Sequence, residues 1–258
     1  MNNLETPFLS WQINPLENGT VLLLENTEST HFFMREEAFR LKDYSVVIAD
    51  SQTAGRGRHE RKWISPPSKN LYFNILLPLK TLPLKYAPSF MQVAAITISE
   101  IFQEMGADSI HVKWPNDIWS NKEKLGGMVS EILSVQGNYK MSLGIGLNIN
   151  TTIEDLSVID RPTTSLSILL KRKIHRDVLL NKILAALKNA FTVFLEKQLT
   201  PWIEAWKEMD AFIGKPSRIT EGNKSISGKV LDIASDGSLI FEKSDGEIIS
   251  VYSGDLEI

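Results

Sequence analysis

The sequence contains no cysteine, which excludes a disulfide framework and any metal site built on thiolates. Its four histidines, His31, His59, His111 and His175, lack the close spacing of transition-metal ligands on one helix. No continuous apolar run reaches bilayer-spanning length, and the N-terminus lacks the basic-then-apolar pattern of a secretory signal. These absences predict a cytoplasmic protein with no membrane partner.

An excess of positive charge is also missing, because 28 basic residues stand against 31 acidic ones and the net charge is −3. Binding to nucleic-acid phosphates needs a basic face, so DNA is not an expected partner. The sequence also lacks a Gly-x-x-x-x-Gly-Lys-Ser/Thr phosphate loop and a Gly-x-Ser-x-Gly acyl-hydrolase motif. With 258 residues, 43% of them hydrophobic, the chain suits one large globular domain with a small appendage.

One segment of this acidic chain concentrates glycine and positive charge. Residues 55–63 read Gly-Arg-Gly-Arg-His-Glu-Arg-Lys-Trp, with four basic side chains against one acidic side chain. Alternate glycines let a backbone approach a ligand closely, and arginine donors fit carboxylates and phosphates. The segment is therefore predicted to close over an anion. A solvated basic surface loop is the alternative that these nine residues leave open.

The hydrophobic pattern of the first 209 residues alternates strands and helices without a repeat. Strands are predicted at residues 21–25, 45–50, 71–77, 110–114, 124–134 and 140–150, the first two as buried strands. Helices are predicted from Ser29 or Thr30 to about Leu41, at residues 89–105, over Arg176–Lys197 and from Pro201. Because only a short turn joins residues 124–134 to 140–150, these strands are antiparallel neighbours, and the region is α+β.

The character of the sequence changes near residue 210. Short β-like runs follow at residues 217–220, 226–233, 238–242 and 248–252, separated by glycine-containing turn signals. Roughly 45 residues of this pattern make a small β-barrel, which packs on the first domain because its own core is thin. The predicted domains are therefore residues 1–209 and residues 210–258.

Four other features of the chain carry polar groups next to predicted strands. They are Ser29-Thr30, Gln52, Lys113-Trp-Pro-Asn-Asp117, and Lys124-Leu-Gly-Gly127. Taken singly, each has a structural interpretation: a helix cap, the residue that leads into the basic loop, a turn, and a solvated lysine.

In their order along the chain, these features resemble the biotin protein ligase family. The pattern runs from Ser-Thr (29–30) through Gln-x-x-Gly-Arg-Gly-Arg-x-x-Arg-x-Trp (52–63) to Lys-Trp-Pro-Asn-Asp (113–117), Lys-Leu-x-Gly (124–127) and Gly-x-Gly-x-Asn (144–148). The tail is similar as well, with Trp206, Asp210, Gly214-Lys215-Pro216 and Ser253-Gly254-Asp255. The resemblance implies a mixed, largely antiparallel sheet flanked by helices, like that of class II aminoacyl-tRNA synthetases, and a C-terminal Src-homology-3-like barrel.

The resemblance implies an ATP-dependent ligase that joins the carboxylate of biotin to the α-phosphate of ATP and releases diphosphate. Biotin then passes from this adenylate to a lysine of a biotin carboxyl carrier protein, part of a biotin-dependent carboxylase. ATP and biotin are the implied substrates, with Mg²⁺ on the phosphates. The first step needs fixed cations, because at ~4 Å two unit charges repel by about 4 kcal/mol at an effective dielectric constant near 20.

The resemblance assigns catalysis to Lys124, Arg58 and Arg61, with Lys124 bridging the biotin carboxylate and the reacting phosphate. Lys122 competes for this role by position, but the family pattern Leu125-Gly126-Gly127 follows Lys124. The residues implied for biotin are Ser29, Thr30, His31, Gln52, Gly55, Arg56, Gly57, Arg58, Lys124, Gly127, Gly144 and Gly146. The residues implied for ATP are Arg58, Arg61, Trp63, Lys113, Asn116, Asp117 and Asn148, with Trp63 near the adenine.

Two residues depart from the family pattern. His31 stands where many members have asparagine, and Glu60 stands where many have glycine. Glu60 adds an anion to an anion-binding loop, and we hypothesise that it pairs with Arg58 or Arg61 before the substrates bind. The glycines and clustered like charges also predict that residues 55–63 are mobile without ligand and become ordered over the adenylate.

Two other functions remain as alternatives. A lipoate or octanoate ligase or transferase shares the implied fold, but the Gly-Arg-Gly-Arg and Lys-Trp-Pro-Asn-Asp motifs argue against it. A non-catalytic nucleic-acid-binding regulator is disfavoured by the pI of 5.9 and by the roughly 20 residues before the first strand, too few for a helix-turn-helix domain. The sequence leaves a monomer and a homodimer equally open.

Overall fold

In the computed structural model, which describes residues 7–257, two sheets organise the chain. The larger sheet has seven strands in the order β1-β2-β3-β7-β6-β5-β4. Their bounds are β1 Val21–Thr27, β2 Val46–Gln52, β3 Leu71–Pro78, β4 Ile110–Lys113, β5 Asp117–Ser120, β6 Glu123–Val135 and β7 Asn138–Leu147. The pair β1–β2 is parallel and the other neighbours are antiparallel, which confirms the predicted mixed, largely antiparallel sheet.

Helices cover both faces of this sheet. They are α1 Thr30–Glu37, α2 Phe90–Glu104, α3 Ile153–Leu156, α4 Leu166–Leu170, α5 Arg176–Lys197 and α6 Ile203–Met209. On one face, rings of Phe90 from α2 and of Phe191 and Phe194 from α5 pack with centroids 5.0 and 5.1 Å apart. On the other face, Met34 of α1 joins a smaller apolar cluster with Val47 and Leu76.

Helix α5 is long and apolar enough, by length and composition alone, to cross a membrane. Its apolar side is nevertheless buried in the core, where Leu180, Ile183 and Leu187 are at most 1% exposed. On its other side, Lys182 pairs with Glu104 of α2 at 2.7 Å. This is the pattern of a core helix in a globular domain.

Two predicted elements differ from the structure. The strand at residues 21–25 was predicted to be buried, but β1 is half-buried because it forms one edge of the sheet. The first helix was predicted to reach Leu41, but α1 ends at Glu37. The backbone amides of Arg40 and Leu41 bond to the carbonyl of Glu37 in turns that lead the chain into β2. The short elements β5, α3 and α4 were not predicted.

The smaller sheet is antiparallel and has the order β11-β10-β9-β8-β12. Its strands are β8 Pro216–Glu221, β9 Lys224–Ile233, β10 Leu239–Lys243, β11 Ile248–Val251 and the unpredicted β12 Asp255–Glu257. Its buried side chains belong to the same apolar core as those of the large sheet. Trp114 also donates a hydrogen bond from Nε1 to the carbonyl of Gly237 at 3.0 Å. The division into domains at residues 1–209 and 210–258 stays a prediction.

Candidate functional site

A cleft lies where the start of α1, the glycine–arginine loop (residues 55–63) and strands β5, β6 and β7 meet. Most of the predicted site residues line it. They are Ser29, Thr30, His31, Gln52, Arg56, Gly57, Arg58, Arg61, Trp63, Asn116, Asp117, Lys124, Gly127, Gly144 and Gly146. Apolar lining comes from Met128, Val129 and Ile145. The fold thus brings segments that are far apart in sequence to one cleft.

Two cavities that adjoin the cleft are lined by further predicted residues. One lies beside Trp63 and is lined in part by Asn148. The other faces the C-terminal sheet and is lined in part by Lys113. Arg61, Lys124 and Arg161 line all three spaces, so a cation cluster stands at their junction.

Arg161 was not predicted from the sequence. It lies in the segment before α4, and this segment runs beside the start of β6. The amide of Lys124 donates to the carbonyl of Pro162 at 2.9 Å, and the amide of Thr164 donates to the carbonyl of Lys124 at 3.0 Å. This pairing brings Arg161 next to Lys124, and no local pattern around residue 161 signals it.

Lys124 and Asp117 form an ion pair at the centre of the cleft. The lysine Nζ lies 2.7 Å from Asp117 Oδ1, and the two side chains are 14% and 17% exposed. Strand pairing brings them together, since Asp117 of β5 is opposite Gly127 of β6. A Cβ on Gly127 would lie 3.0 Å from both Asp117 Oδ1 and Lys124 Nζ, so a larger residue there would crowd the pair.

Lys122, the alternative to Lys124, lies elsewhere. It is exposed in the turn between β5 and β6, where its φ is 67°. It is not among the residues that line the cleft. The geometry therefore favours Lys124 over Lys122 as the lysine that meets a ligand.

Ser29, Thr30 and Gln52 form a polar edge at one end of the cleft. Ser29 caps α1, its Oγ accepting from the amide of His31 at 3.2 Å, and it also faces the cleft. The amide of Thr30 donates to Gln52 Oε1 at 2.9 Å, and Gln52 Nε2 donates to Ser65 Oγ at 2.8 Å. Ser29 is therefore both the cap of helix α1 and a residue of the cleft.

The glycine–arginine loop is a hairpin over the cleft. The amide of Trp63 donates to the carbonyl of Gly55 at 2.8 Å, and the amide of Gly57 donates to the carbonyl of Arg61 at 2.7 Å. Gly55 is not among the lining residues, because its backbone packs against residues 63–65: a Cβ there would lie 2.6 Å from the carbonyl oxygen of Trp63. The side chain of Glu60 lies outside the described part of the chain, so its predicted pairing stays a hypothesis.

The arginines of this loop reach the C-terminal sheet. Arg58 Nη1 donates to the carbonyl of Gly254 at 3.3 Å and to Asn116 Oδ1 at 3.4 Å. Arg61 forms an ion pair with Asp255, which also lines the cleft. Burial lowers the pKa of Arg58, although a guanidinium stays protonated at neutral pH. Gly254 and Asp255 of the tail motif therefore contact the arginines of the site, a role that the sequence did not predict.

The glycines of β7 make room for protein side chains. A Cβ on Gly146 would lie 2.7 to 2.9 Å from ring atoms of Trp63, so the indole fills the space beside this residue, which was implied for biotin. Gly144 leaves room for Val129, Asn74 and His31. Trp63 also lies beside Lys124, whose Nζ is 5.3 Å from the ring centroid.

The other residues predicted to bind the nucleotide contact protein neighbours around the cleft. Lys113 Nζ lies 4.4 Å from the ring centroid of Trp119 and 5.4 Å from that of Phe212, and burial lowers its pKa. The Asn148 side chain donates to the carbonyl of Lys124 at 3.5 Å. Asn116 donates through Nδ2 to the carbonyl of Met128 while accepting from Arg58. These contacts orient the backbone around Lys124 and the side chain of Arg58.

Comparison with known proteins gives consistent matches. Residues 23–150 match the Biotin/lipoate A/B protein ligase family, and residues 212–258 match the Biotin protein ligase C terminal domain. The bifunctional ligase/repressor BirA of Escherichia coli is 30% identical over 95% of this chain and 76% of that protein. The biotin–[acetyl-CoA-carboxylase] ligase of Mycobacterium tuberculosis is 25% identical over 83% of this chain and 79% of its own length.

A solved structure agrees with these matches. The biotin protein ligase of Aquifex aeolicus, in complex with biotin and ATP, superposes with a TM-score of 0.80 at 26% identity. The match covers 92% of this chain and 97% of that one. Together, the ordered motifs, the fold and these relatives show that the chain belongs to the biotin protein ligase family.

Proposed function

We propose that this chain is an ATP-dependent ligase that activates biotin as biotinyl-5′-AMP and transfers it to a lysine of a biotin carboxyl carrier protein. The observation that carries the proposal is the cation cluster of Lys124, Arg61 and Arg161, which stands where three cavities meet. Such a junction suits a reaction that joins one anion to another. The similarity to the biotin protein ligase of Aquifex aeolicus, whose solved structure contains biotin and ATP, supports these two molecules as substrates.

Biotin occupies the cleft. The hydroxyls of Ser29 and Thr30 and the amide of Gln52 suit the flat donor–acceptor pattern of the ureido ring. The apolar side chains of Val129 and Ile145 suit the ring and tail of biotin. Because Trp63 fills the space above Gly146, the indole must shift if the ligand reaches that glycine.

In the first step, a biotin carboxylate oxygen attacks the α-phosphorus of ATP, and the bond from that phosphorus to the bridging oxygen of the diphosphate breaks. Lys124 has three N–H donors, so it can keep Asp117 as a partner and still donate to the carboxylate and to the phosphate. Arg58, Arg61 and Arg161 neutralise the remaining phosphate charge. Fixed cations in a water-poor site stabilise such a transition state.

In the second step, the uncharged amine of the carrier lysine attacks the carbonyl carbon of the adenylate, and the bond from that carbon to the phosphate oxygen breaks. An amide bond forms, and AMP leaves with its phosphate taking up the proton that the amine loses. Lys124 stabilises the charge that returns to the departing phosphate. The loop at residues 55–63 shields the adenylate from water between the two steps.

Mg²⁺ fits this site as a companion of the phosphates. Within residues 7–257, no group of three or more His, Cys, Asp or Glu side chains is arranged to hold a metal ion. Asp117 and Asp255 line the cleft, but each is paired with a cation. Phosphate oxygens and water would therefore supply most of the metal coordination, as is usual for Mg²⁺ on ATP.

The proposed protein partner is the carrier domain of a biotin-dependent carboxylase. No nucleic-acid partner is proposed, in line with the net charge of −3. A cytoplasmic location stays a prediction, and so does the choice between a monomer and a homodimer.

The test is transfer of radiolabelled biotin to a purified carrier domain with ATP and Mg²⁺, beside a Lys124→Ala control. Label on the carrier with the wild type alone supports the proposal, and no label with either protein contradicts it. Competition between biotin and lipoate in an ATP–diphosphate exchange assay separates the proposed activity from lipoate ligation.

A further inference from the structure

A network of polar side chains lies beside the end of the cleft that Ser29 and Thr30 line. The His31 network consists of His31 on α1, Asn74 on β3, Glu131 on β6 and Ser142 on β7. His31 Nδ1 is 3.2 Å from Asn74 Nδ2 and 3.3 Å from Ser142 Oγ, and His31 Nε2 is 3.2 Å from Glu131 Oε2. Asn74 and Ser142 are fully buried, whereas Glu131 reaches the surface.

This network selects one form of the His31 ring. Ser142 Oγ donates to Asn74 Oδ1 at 3.0 Å, which turns the amide Nδ2 of Asn74 towards the imidazole as a donor. Nδ1 of His31 therefore accepts a hydrogen bond. The proton of the neutral ring then lies on Nε2 and is donated to Glu131.

Ser142, His31 and Glu131 follow one another as in a hydrolytic triad, but Ser142 cannot be a nucleophile. Its hydroxyl is fully buried and engaged with Asn74. The network lies instead against the wall of the cleft. A Cβ on the cleft residue Gly144 would be 3.2 Å from Asn74 Nδ2 and 3.5 Å from His31 Nδ1.

Protonation of His31 disturbs this arrangement. Ser142 Oγ, 3.3 Å from Nδ1, can accept the new hydrogen, but that hydrogen also faces the Nδ2–H of Asn74, and this buried donor loses its acceptor. Asn74 would then have to reorient against Ser142, directly beneath Gly144. Because both are fully buried, such a change reaches the lining of the cleft rather than the solvent.

The charged groups around His31 act in both directions. Glu131 on β6 favours the protonated ring, whereas Arg35 on α1 opposes it. Glu28, Arg56 and Arg58 line, together with His31, a groove next to the cleft. Strands β3 and β7 contribute the uncharged Asn74 and Ser142. Burial is the largest effect and lowers the pKa of His31 below its ordinary value of 6.5, so the neutral ring prevails at neutral pH.

We propose that neutral His31 is a positioning residue of the biotin site, which fixes the cleft wall through Asn74 and Ser142, and that uptake of a proton by His31 weakens biotin binding. This inference rests on the proposed function, because it names biotin as the ligand. It adds a pH dependence carried by a residue that departs from the asparagine common in the family.

The main experiment measures the KM for biotin and the KM for ATP in ATP–diphosphate exchange across the mildly acidic to neutral range. In the wild type, we expect the KM for biotin to rise about five- to tenfold at the acid end, the effect of one lost hydrogen bond. The KM for ATP should not rise in parallel. In His31→Asn, the KM for biotin should lack this acid rise, because an amide does not titrate.

Two charge variants at the same site give opposite shifts. Glu131→Gln removes the anion that favours protonation, so the acid rise should move to lower pH. Arg35→Gln removes a cation that opposes protonation, so the rise should move to higher pH. An unchanged acid rise in His31→Asn, or shifts in the same direction in the two charge variants, would overturn the inference.

A second measurement needs no ligand. The ¹⁵N chemical shifts of the His31 ring in the free protein should show a neutral imidazole with its proton on Nε2, and a proton on Nδ1 would contradict the network. If the wild type shows no biotin-dependent exchange at neutral pH, the proposed function itself fails. An active wild type without a His31-dependent acid rise would remove only the inference about His31.

Discussion

The two walls of the cleft are built in different ways. The strand wall consists of Asp117, Lys124 and Gly127 on β5 and β6, and its ion pair is mostly buried. The loop wall consists of residues 55–63, and Arg61 in its ion pair with Asp255 is 46% exposed. The strand wall is held by the ladder of a central sheet, whereas the loop wall is held by a few backbone bonds and by contacts with another sheet.

This difference separates two requirements of adenylate chemistry. A cation that stabilises a transition state works best when it is already fixed, which suits the strand wall. A cover must open to admit biotin and close to keep water from the adenylate, which suits the loop wall. The comparison predicts that changes in the strand wall reduce the chemical rate, and that changes in the loop wall alter substrate binding.

The largest effect is expected for Lys124→Ala. Loss of the central cation should lower kcat for ATP–diphosphate exchange by about 100- to 1,000-fold, the usual range for one preorganised donor to a reacting anion. The matched control is Lys122→Ala in the exposed turn, which should stay within about twofold of the wild type. Equal losses in both variants would contradict the assignment of Lys124.

A single methyl group tests the rigidity of each wall. Gly127→Ala places a Cβ 3.0 Å from both Asp117 Oδ1 and Lys124 Nζ, so these two side-chain ends must move by a few tenths of an ångström. We expect kcat to fall about tenfold, because a catalytic cation loses effect when it is displaced from the reacting group.

The matched substitution in the loop wall is Gly57→Ala. Gly57 has a φ of −99°, which any residue can adopt, and its Cβ would lie 3.6 Å from the nearest atom outside its neighbours, the carbonyl oxygen of Arg61. We expect kcat to change by less than about threefold. Thermal unfolding of both variants controls for stability, and a Gly57→Ala loss as large as that of Gly127→Ala would remove the contrast between the walls.

Long, regular elements were the most predictable from the sequence. The bounds of α5 agree with the prediction because its 22 residues repeat an apolar face, and β6 and β7 were paired correctly because their linking turn is short. The strand β5 was missed because four residues between two turns carry little pattern. The position of β1 at a sheet edge was missed because strand order follows from tertiary contacts, not from local hydrophobicity.

The residues of the site also divide into those that the sequence predicted and those that it did not. Motif residues such as Ser29, Gln52 and Lys124 were predicted from their resemblance to a family, and the fold brings them to one cleft. Contacts between distant segments were not predictable in this way. Arg61 and Asp255 are 194 residues apart in the chain, and Arg161 reaches the cleft through backbone pairing of its neighbours with Lys124.

A smaller effect is expected for Asp255→Asn. ATP phosphates that approach Arg61 must compete with the Asp255 carboxylate, and a partly exposed ion pair is worth about 0.2 to 1 kcal/mol. Removal of this carboxylate should therefore lower the KM for ATP by up to about fivefold, with little change in the KM for biotin. Steady-state kinetics with each substrate varied in turn measures both constants. A higher KM for ATP would mean that Asp255 orients Arg61 towards the phosphates instead of competing with them.

The smallest and most local effect concerns motion of the loop wall. The amide of Gly57 bonds to the carbonyl of Arg61, and the amide of Trp63 bonds to the carbonyl of Gly55. Both bonds lie within one exposed hairpin, so they can break without disturbing the core. Binding of biotin and ATP should slow hydrogen exchange of these amides by about tenfold, because phosphate contacts then hold the arginines. The amide of Met128, which bonds to the carbonyl of Asn116 in the strand wall, should exchange slowly in both states. Equally slow exchange of the hairpin amides with and without substrates would show that the loop is already closed, and equally fast exchange would show that the substrates do not hold it.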